Sequence, residues 1–444
     1  MIVELTIENF KSFREKCVVS FAAGTTSRLS GNLLRQKNGE RVVKSMGLYG
    51  PNASGKTSIL DALYALKTFV LFSSQEQKPT SKIPYFEPFA LEKNTSIRPS
   101  TVGLTFDLDG DRFSLEVSAT PSRVYKEQLT VQRLTKQPSR KSAKSTLIDR
   151  TWAQDSETYV TTLHKDLGPE LTRAATIEQT TQNRLLIGKL ASMNSELAGR
   201  LIKWFDDDLD FYDMHRNPNA ESVMLTETAR LLRDDDDFSA LIIQFMKDAD
   251  VGIQDLQITD EKTLKAEVSK LDSKFELKES IEPGISFRHS SNDGSEVFFP
   301  RHKESSGTLR FVALLVALLK PSTRRRFVCI DELSASMHPE LVRRLIRIVH
   351  SSVFNRLGNQ VMFTTHDTHL IEPTELLRRD QVTLCSKDRF GRSTIRRLDE
   401  YQDSARSDAN LQKQYLQGRF GGTPQFGVTL EDVPVDDKPL EVCS

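Results

Sequence analysis

Residues 50–57, Gly50-Pro51-Asn52-Ala53-Ser54-Gly55-Lys56-Thr57, constrain this chain more than any other stretch. They match the phosphate-binding pattern G-x-x-x-x-G-K-[ST]. The pattern has meaning only between a strand and a helix, and both flanks comply. Met46, Leu48 and Tyr49 end a short apolar run before it; Ile59, Leu60, Leu63, Leu66 and Val70 recur at helical spacing after it. Gly50 and Gly55 allow backbone dihedrals closed to residues with a Cβ. Successive N–H groups, including those of Asn52 and Ser54, can then turn inward as an anion nest. A helix starting near Gly55 adds its positive end. Lys56 supplies a point charge for the β- and γ-phosphates of ATP, and the Thr57 hydroxyl is placed for Mg2+.

Composition narrows the setting. A chain of 444 residues holds two or three domain-sized units, or one head with insertions. Its 38% hydrophobic content and mean hydropathy of −0.42 fit a soluble protein. No apolar run approaches the roughly 20 residues that span a bilayer, so no membrane partner is expected. The start, MIVELTIENF, carries Glu4 and Glu8 and does not read as a signal peptide. Cys17, Cys329, Cys385 and Cys443 lack metal or disulfide spacing and fit a reducing cytoplasm. Net charge is zero, which gives no overall pull toward nucleic acid. Locally, residues 133–144 hold Arg133, Lys136, Arg140, Lys141 and Lys144 without an acid, and residues 234–237 are all aspartate. Solvated surface is the simpler reading of both, with a DNA or RNA contact through the basic run as the alternative.

Taken in order, Val3, Leu5 and Ile7 alternate with polar residues as a half-buried strand, and Cys17–Phe21 is a second strand. Residues 24–40 read as loop, and 72–100 carry no clear period. Val102, Leu104 and Phe106, a turn at Asp109-Gly110, then Phe113, Leu115 and Val117 predict a hairpin, with a further strand near 124–132. Residues 134–170 are polar and read as a mobile insertion. Helical stripes follow: Leu185, Leu186, Leu190, Met193, Leu197, Leu201 and Trp204, then Leu241, Ile242, Phe245 and Met246. Neither sustains the heptads of a long coiled-coil arm. Residues 284–299 read as two short strands around Asn292-Asp293-Gly294, and 428–444 as an acidic, disordered tail.

Three later stretches carry chemistry. Glu304-Ser305-Ser306-Gly307-Thr308 runs directly into an apolar helix; alone it reads as a helix cap, although such a turn can also hold an anion. Residues 326–332, RFVCIDE, are an apolar strand ending in Asp331, suited to hold Mg2+, and Glu332, suited to polarise a water. After the loop SASMHP, with Pro339 opening a helix, residues 359–368 form another apolar strand ending at Thr364-Thr365-His366-Asp367. A histidine there can reach a γ-phosphate or its attacking water; alone it would read as a capping or core residue. Two strands within 380–398 and a short helix with a glycine-rich turn at 411–426 complete the chain.

The ordered set IENFKSF, GPNASGKT, ESSGT, CIDE, SASMHP and TTHD resembles an ABC-type ATPase head of the SMC and DNA-repair branch. More narrowly, GPNASGKTSIL, CIDELSASMHPELV, TTHDTHLI, LLRRDQV and YLQGRFGGTP resemble the AAA-family ATP-binding proteins of the AbiLi/RloA-like group. That group belongs to bacterial abortive-infection loci, and AriA and PtuA are looser relatives. The likeness covers residues 1–70 and 300–426; residues 72–300 share only the layout. It implies an α/β, two-lobed head with a mixed sheet, an antiparallel β subdomain and a mainly helical insertion. The corresponding divisions are 1–133, 134–283, 284–426 and the tail 427–444.

In such heads two subunits sandwich two ATP molecules. The resemblance therefore implies that Lys56, Thr57, Asp331, Glu332 and His366 act in cis and Ser305, Ser306 and Gly307 in trans. Ser336 and His338 would lie where the SASMHP loop crosses the dimer axis, and Lys11 and Ser12 beside the nucleotide. The turn SSGT departs from LSGGQ, so its assignment rests on position. No glutamine stands at the expected coupling loop, where Phe86-Glu87-Pro88-Phe89-Ala90 lies instead. The group also implies a co-encoded effector, a TOPRIM-like or HNH nuclease. The stretch after His366 leaves no room for a TOPRIM domain, so that effector is expected on a separate chain. The competing readings are an SMC-like repair ATPase that binds DNA directly, and an ATP-bound scaffold with little turnover.

Overall fold

The computed structural model describes residues 1–421 except 74, 76, 77, 135–142, 213–219, 250, 251, 269–274, 292, 294, 372–375 and 402–409. The chain opens with β1 (Ile2–Glu8) and β2 (Cys17–Ser20), then a small ribbon of β3 (Leu33–Arg35) and β4 (Arg41–Val43). β5 (Ser45–Tyr49) leads through the glycine loop into α1 (Lys56–Phe72). A meander follows: β6 (Ser100–Leu108), β7 (Asp111–Ala119), β8 (Val124–Arg133), β9 (Ser145–Ala153) and β10 (Thr158–Leu163). Next come α2 (Glu170–Gln179), α3 (Leu186–Ser192), α4 (Glu196–Asp207), β11 (Leu209–Tyr212), α5 (Ala220–Asp234) and α6 (Asp236–Asp248). A long ribbon of β12 (Ile253–Val268) and β13 (Phe275–Ser290) takes β14 (Glu296–Pro300) as a third strand. The last part holds α7 (Ser306–Leu319), β15 (Phe327–Ile330), α8 (Pro339–His350), β16 (Gln360–Thr364), β17 (Val382–Lys387), β18 (Ser393–Arg397) and α9 (Leu411–Leu416).

Two sheets make an α/β, two-lobed molecule. The central sheet runs β11-β15-β16-β5-β17-β18, parallel except for β18. Both its faces are covered, which is why β5, β15 and β16 are buried along their whole length. Met46, Leu48, Cys329 and Met362 enter one core, shared with α1, α3, α4 and the antiparallel sheet. Val328, Ile330, Val361 and Phe363 enter the other, shared with α5, α6, α7 and α8. The antiparallel sheet runs β10-β9-β8-β7-β6-β1-β2. Trp204 of α4 stacks on Phe106 of β6, ring centroids 4.0 Å apart, and joins this sheet to the helices.

Several expectations are corrected. Within 134–170, which the sequence reads as a polar, mobile insertion, β9 and β10 instead extend the antiparallel sheet. Their apolar alternation is broken because Arg150, on an inward position, is buried opposite buried Glu127. Arg150 donates to the carbonyls of Arg184 and Thr181, and Glu127 accepts from the N–H groups of Leu186 and Ile187 at the start of α3. The first helical stripe is two helices, broken at Met193–Asn194, where Asn194 takes a left-handed φ of 62°. The insertion holds the helices α2 to α6, but β11 joins the central sheet and β12 and β13 form a β-ribbon. Only 284–290 of the ribbon reads as strand in the sequence, because charged residues on the solvent side mask the inward Leu256 and Ile258. The 24–40 loop contains β3. The aspartate run is solvated as expected, with Asp234, Asp236 and Asp237 exposed, and it also starts a helix: Asp235 caps α6, accepting from Phe238 N–H, and Asp236 and Asp237 face the helix dipole. The 427–444 tail, Asn292, Gly294 and the basic residues 136, 140 and 141 lie outside the described residues.

A buried polar node anchors the start of the phosphate-loop strand. Nε2 of His350 accepts from the Gln381 amide (3.1 Å) and lies 2.9 Å from the Ser45 hydroxyl. Gln381 also donates to the Ser45 hydroxyl and accepts from Asn32. Facing amide donors, the ring must be neutral; burial, with the nearby Lys44 charge, pushes its pKa down to about 3. The unfolded chain, with a histidine pKa near 6.5, therefore takes up this proton first as pH falls. Stability contributed by neutral His350 is complete above about pH 6.5 and is lost progressively below it. Denaturant unfolding should show a loss of about 2 kcal/mol between pH 7 and pH 5 that His350→Gln lacks; equal slopes in the two proteins would contradict this.

Candidate nucleotide-binding site

The glycine loop joins the C-terminal end of β5 to α1. Gly55 caps the helix at φ 106°, and Ala53 is also left-handed at φ 61°. Neither glycine leaves room for a side chain: a Cβ on Gly50 would lie 2.3 Å from the Cys385 carbonyl, and one on Gly55 2.6 Å from the Ser393 hydroxyl. The open N–H groups of the first turn of α1 face the loop. Lys56 is buried, and its ammonium donates to the carbonyls of Gly50 (2.8 Å) and Pro51 (2.9 Å). Burial pulls its pKa below the ordinary lysine value, while Cys385, Asp331 and Glu332 oppose the shift. The Ser54 hydroxyl is buried with no hydrogen-bond partner among the described residues, and Asn52 is exposed at the loop tip.

The acidic strand end lies alongside. The Thr57 hydroxyl stands 3.2 and 3.3 Å from the two carboxylate oxygens of Asp331. The hydroxyl of Thr364, at the end of β16, donates to Asp331 Oδ1 (2.6 Å) and accepts from Glu332 N–H (2.7 Å). Arg310, buried in α7, donates to the carbonyls of Asp331 (2.7 Å) and Glu332 (2.8 Å). These bonds hold Glu332 at φ 50°, a left-handed conformation that a glutamate takes only when its surroundings impose it. His366 is exposed just beyond β16; desolvation and the Lys56 charge lower its pKa, against Glu332 and Asp331, so the imidazole is neutral at pH 7.

The surrounding turns are placed as follows. Ser12 Oγ lies 3.4 Å from Ser58 Oγ and beside Gly55, and its carbonyl accepts from Ser393 N–H (2.7 Å). Lys11 instead pairs with Asp61 of α1 at 2.7 Å. Phe86 and Phe89 are buried against the same turn, where the Glu87 carbonyl accepts from Lys11 N–H. Ser305 caps α7, accepting from Thr308 N–H, and Ser305 and Ser306 are exposed. Gly307 is buried against the SASMHP loop: a Cβ there would lie 2.2 Å from the Ser336 carbonyl. His338 caps α8. Among the described residues no hydrogen bond or ion pair joins 305–307 to 50–57.

The residues fit a nucleoside triphosphate with its cation. The loop offers N–H donors, a buried ammonium and a buried hydroxyl. Asp331 and Thr57 would supply two oxygens to a Mg2+ ion, whose charge would polarise the phosphoryl group. Sequence reasoning missed Arg310, Thr364 and Ser393. Arg310 had a readable signal, a single charge inside the apolar run LRFVALLVALL. A cavity of about 440 Å3 between residues 24–29, 378–382 and 398–401 shares no residue with this site.

A strand, a glycine loop and a helix, with an acidic strand end in register beside them, define a P-loop nucleotide-binding domain. The chain belongs to the family described as "AAA domain, putative AbiEii toxin, Type IV TA system", whose model matches residues 45–372, and so carries an AAA-type ATPase domain. Among solved structures it is similar to the SMC head domain from Thermotoga maritima, with 14% identity and a TM-score of 0.40 over 89% of this chain and 98% of that chain. No curated protein matches it. Among the described residues no helix is long and apolar enough to cross a membrane.

The contact of Gly307 with the SASMHP loop is open to a direct check. Gly307→Ala should lower stability by about 1–3 kcal/mol, as overpacking against backbone does. An unchanged denaturation midpoint would contradict the contact.

Proposed function

We propose that this chain is an ATP-hydrolysing switch of a bacterial anti-phage, abortive-infection system of the AbiLi/RloA-like kind. It works in the cytoplasm, as a dimer around ATP, and controls a separately encoded effector, a TOPRIM-like or HNH nuclease. One observation carries the hydrolytic part: Lys56, Thr57, Asp331, Glu332 and His366 stand at the ends of three neighbouring parallel strands, with Thr57 against Asp331. The family description, an AbiEii toxin of a type IV TA system, supports the defence part.

In this reading Lys56 exchanges its two loop carbonyls for β- and γ-phosphate oxygens, and Thr57 and Asp331 hold Mg2+. Glu332 orients a water and accepts its hydrogen bond. The water oxygen bonds to the γ-phosphorus as the bond to the β-phosphate oxygen breaks, and ADP leaves with that electron pair. Neutral His366 donates to the γ-phosphoryl group. The dimer is supported by what one chain leaves apart. Ser305 and Ser306 are exposed and unbonded to the loop at 50–57, and Ser336 and His338 are exposed nearby. A second copy would bring its Ser305, Ser306 and Gly307 over the nucleotide. Cys17 and Cys385 are buried thiols, consistent with a reducing compartment.

Lys56→Ala should abolish ATP binding in a calorimetric or fluorescent-nucleotide titration, and retained affinity would sink the assignment. Glu332→Gln should keep binding, lose at least about 100-fold in kcat, and sediment as a dimer with ATP. Unchanged turnover would remove Glu332 from the reaction.

A further inference from the structure

We propose that Thr364 is a positioning residue: through one hydroxyl it sets both the metal ligand Asp331 and the water-orienting Glu332. The inference rests on the hydrolysis reading above and gives Thr364 a role that the TTHD motif does not. Thr364 is fully buried at the end of β16. A hydroxyl has a single proton to give. With Glu332 N–H donating to this oxygen at 2.7 Å, the proton points to Asp331 Oδ1 at 2.6 Å.

Two constraints follow from that one group. The carboxylate of Asp331 is held at Oδ1, so that both its oxygens stay within 3.3 Å of the Thr57 hydroxyl on the metal side. The backbone of Glu332 is held by its N–H in the left-handed conformation, while Arg310 holds the carbonyls of residues 331 and 332 from α7. The next residue repeats the device one step outward. The Thr365 hydroxyl lies 2.8 Å from Ser334 Oγ and accepts from Asp367 N–H at 3.0 Å. The paired threonines thus tie the strand that carries His366 to the acid pair and to the SASMHP loop.

Thr364→Val keeps the shape of the side chain and removes the hydroxyl; Thr364→Ser keeps the hydroxyl and removes a methyl. The full-length chain is compared in three measurements: the melting temperature without nucleotide, ATP affinity in EDTA and in Mg2+, and the Mg2+ concentration giving half-maximal turnover. Groups that orient a metal ligand are worth about 10–100-fold in metal affinity or activity. Thr364→Val should raise the half-saturating Mg2+ by that factor, lower kcat, and leave metal-free ATP affinity unchanged. Thr364→Ser should restore the Mg2+ response and kcat. A wild-type Mg2+ response in Thr364→Val, or Thr364→Ser as impaired as Thr364→Val, overturns the proposal. If Thr364→Val does not fold, Thr364→Ala is held to the same criteria. A wild-type chain that turns over no ATP overturns the hydrolysis reading itself; wild-type turnover with an unaffected Thr364→Val overturns this inference alone.

Discussion

The site depends on the register of three parallel strands. Ile330 pairs with Phe363, and Thr364 pairs with Leu48, so β15, β16 and β5 end at one level. The next residues of each strand are the ones with chemistry: Asp331 and Glu332, Thr365 and His366, Tyr49 and Gly50. A strand shifted by one residue would send its core set to the opposite face. The two cores forbid that, because alternate residues of each strand are committed to different sides. Burial thus sets the height of the acids relative to the glycine loop to within a side chain's reach. Hydroxyls and guanidinium then refine it: Thr57, Thr364 and Arg310 all contact the 331–332 pair.

Legibility in the sequence followed the same physics. The central strands and the glycine loop were readable because buried parallel strands are apolar throughout and the loop needs glycine at fixed places. The 50–57 loop follows β5, Asp331 and Glu332 follow β15, and His366 lies just beyond β16. β9 and β10 were hidden because Arg150 occupies an inward position that usually signals solvent, its charge opposed by Glu127 across the strand pair. β11 was hidden because a four-residue edge strand, LDFY, carries no period of its own. Its place is set by distant partners, β15 in the sheet and Arg326 on Asp210. Lys11, in the turn that the resemblance sets beside the nucleotide, pairs with Asp61 of α1.

The exposed turn before α7 is the point at which the rest of the chain can reach the site. Glu304, immediately before Ser305, accepts from or pairs with His289 of β13 at 2.6 Å. α7 then runs into the site through Arg310 and touches the SASMHP loop through Gly307. The β12–β13–β14 ribbon is therefore linked through the His289–Glu304 contact to the turn that, in the proposed dimer, would cover the partner's nucleotide. A sequence that reads as an insertion is, in space, the neighbour of that turn.

The central claim is that a working site takes its phosphate loop from one copy and its Ser305–Gly307 turn from another. Mixing two inactive variants, Lys56→Ala and Ser306→Arg, tests it most directly. In a mixed dimer one site combines both defects and the other combines neither. The account predicts ATP turnover in the mixture well above the sum of the two variants measured alone. Turnover equal to that sum, with mixed dimers demonstrably formed, would contradict it.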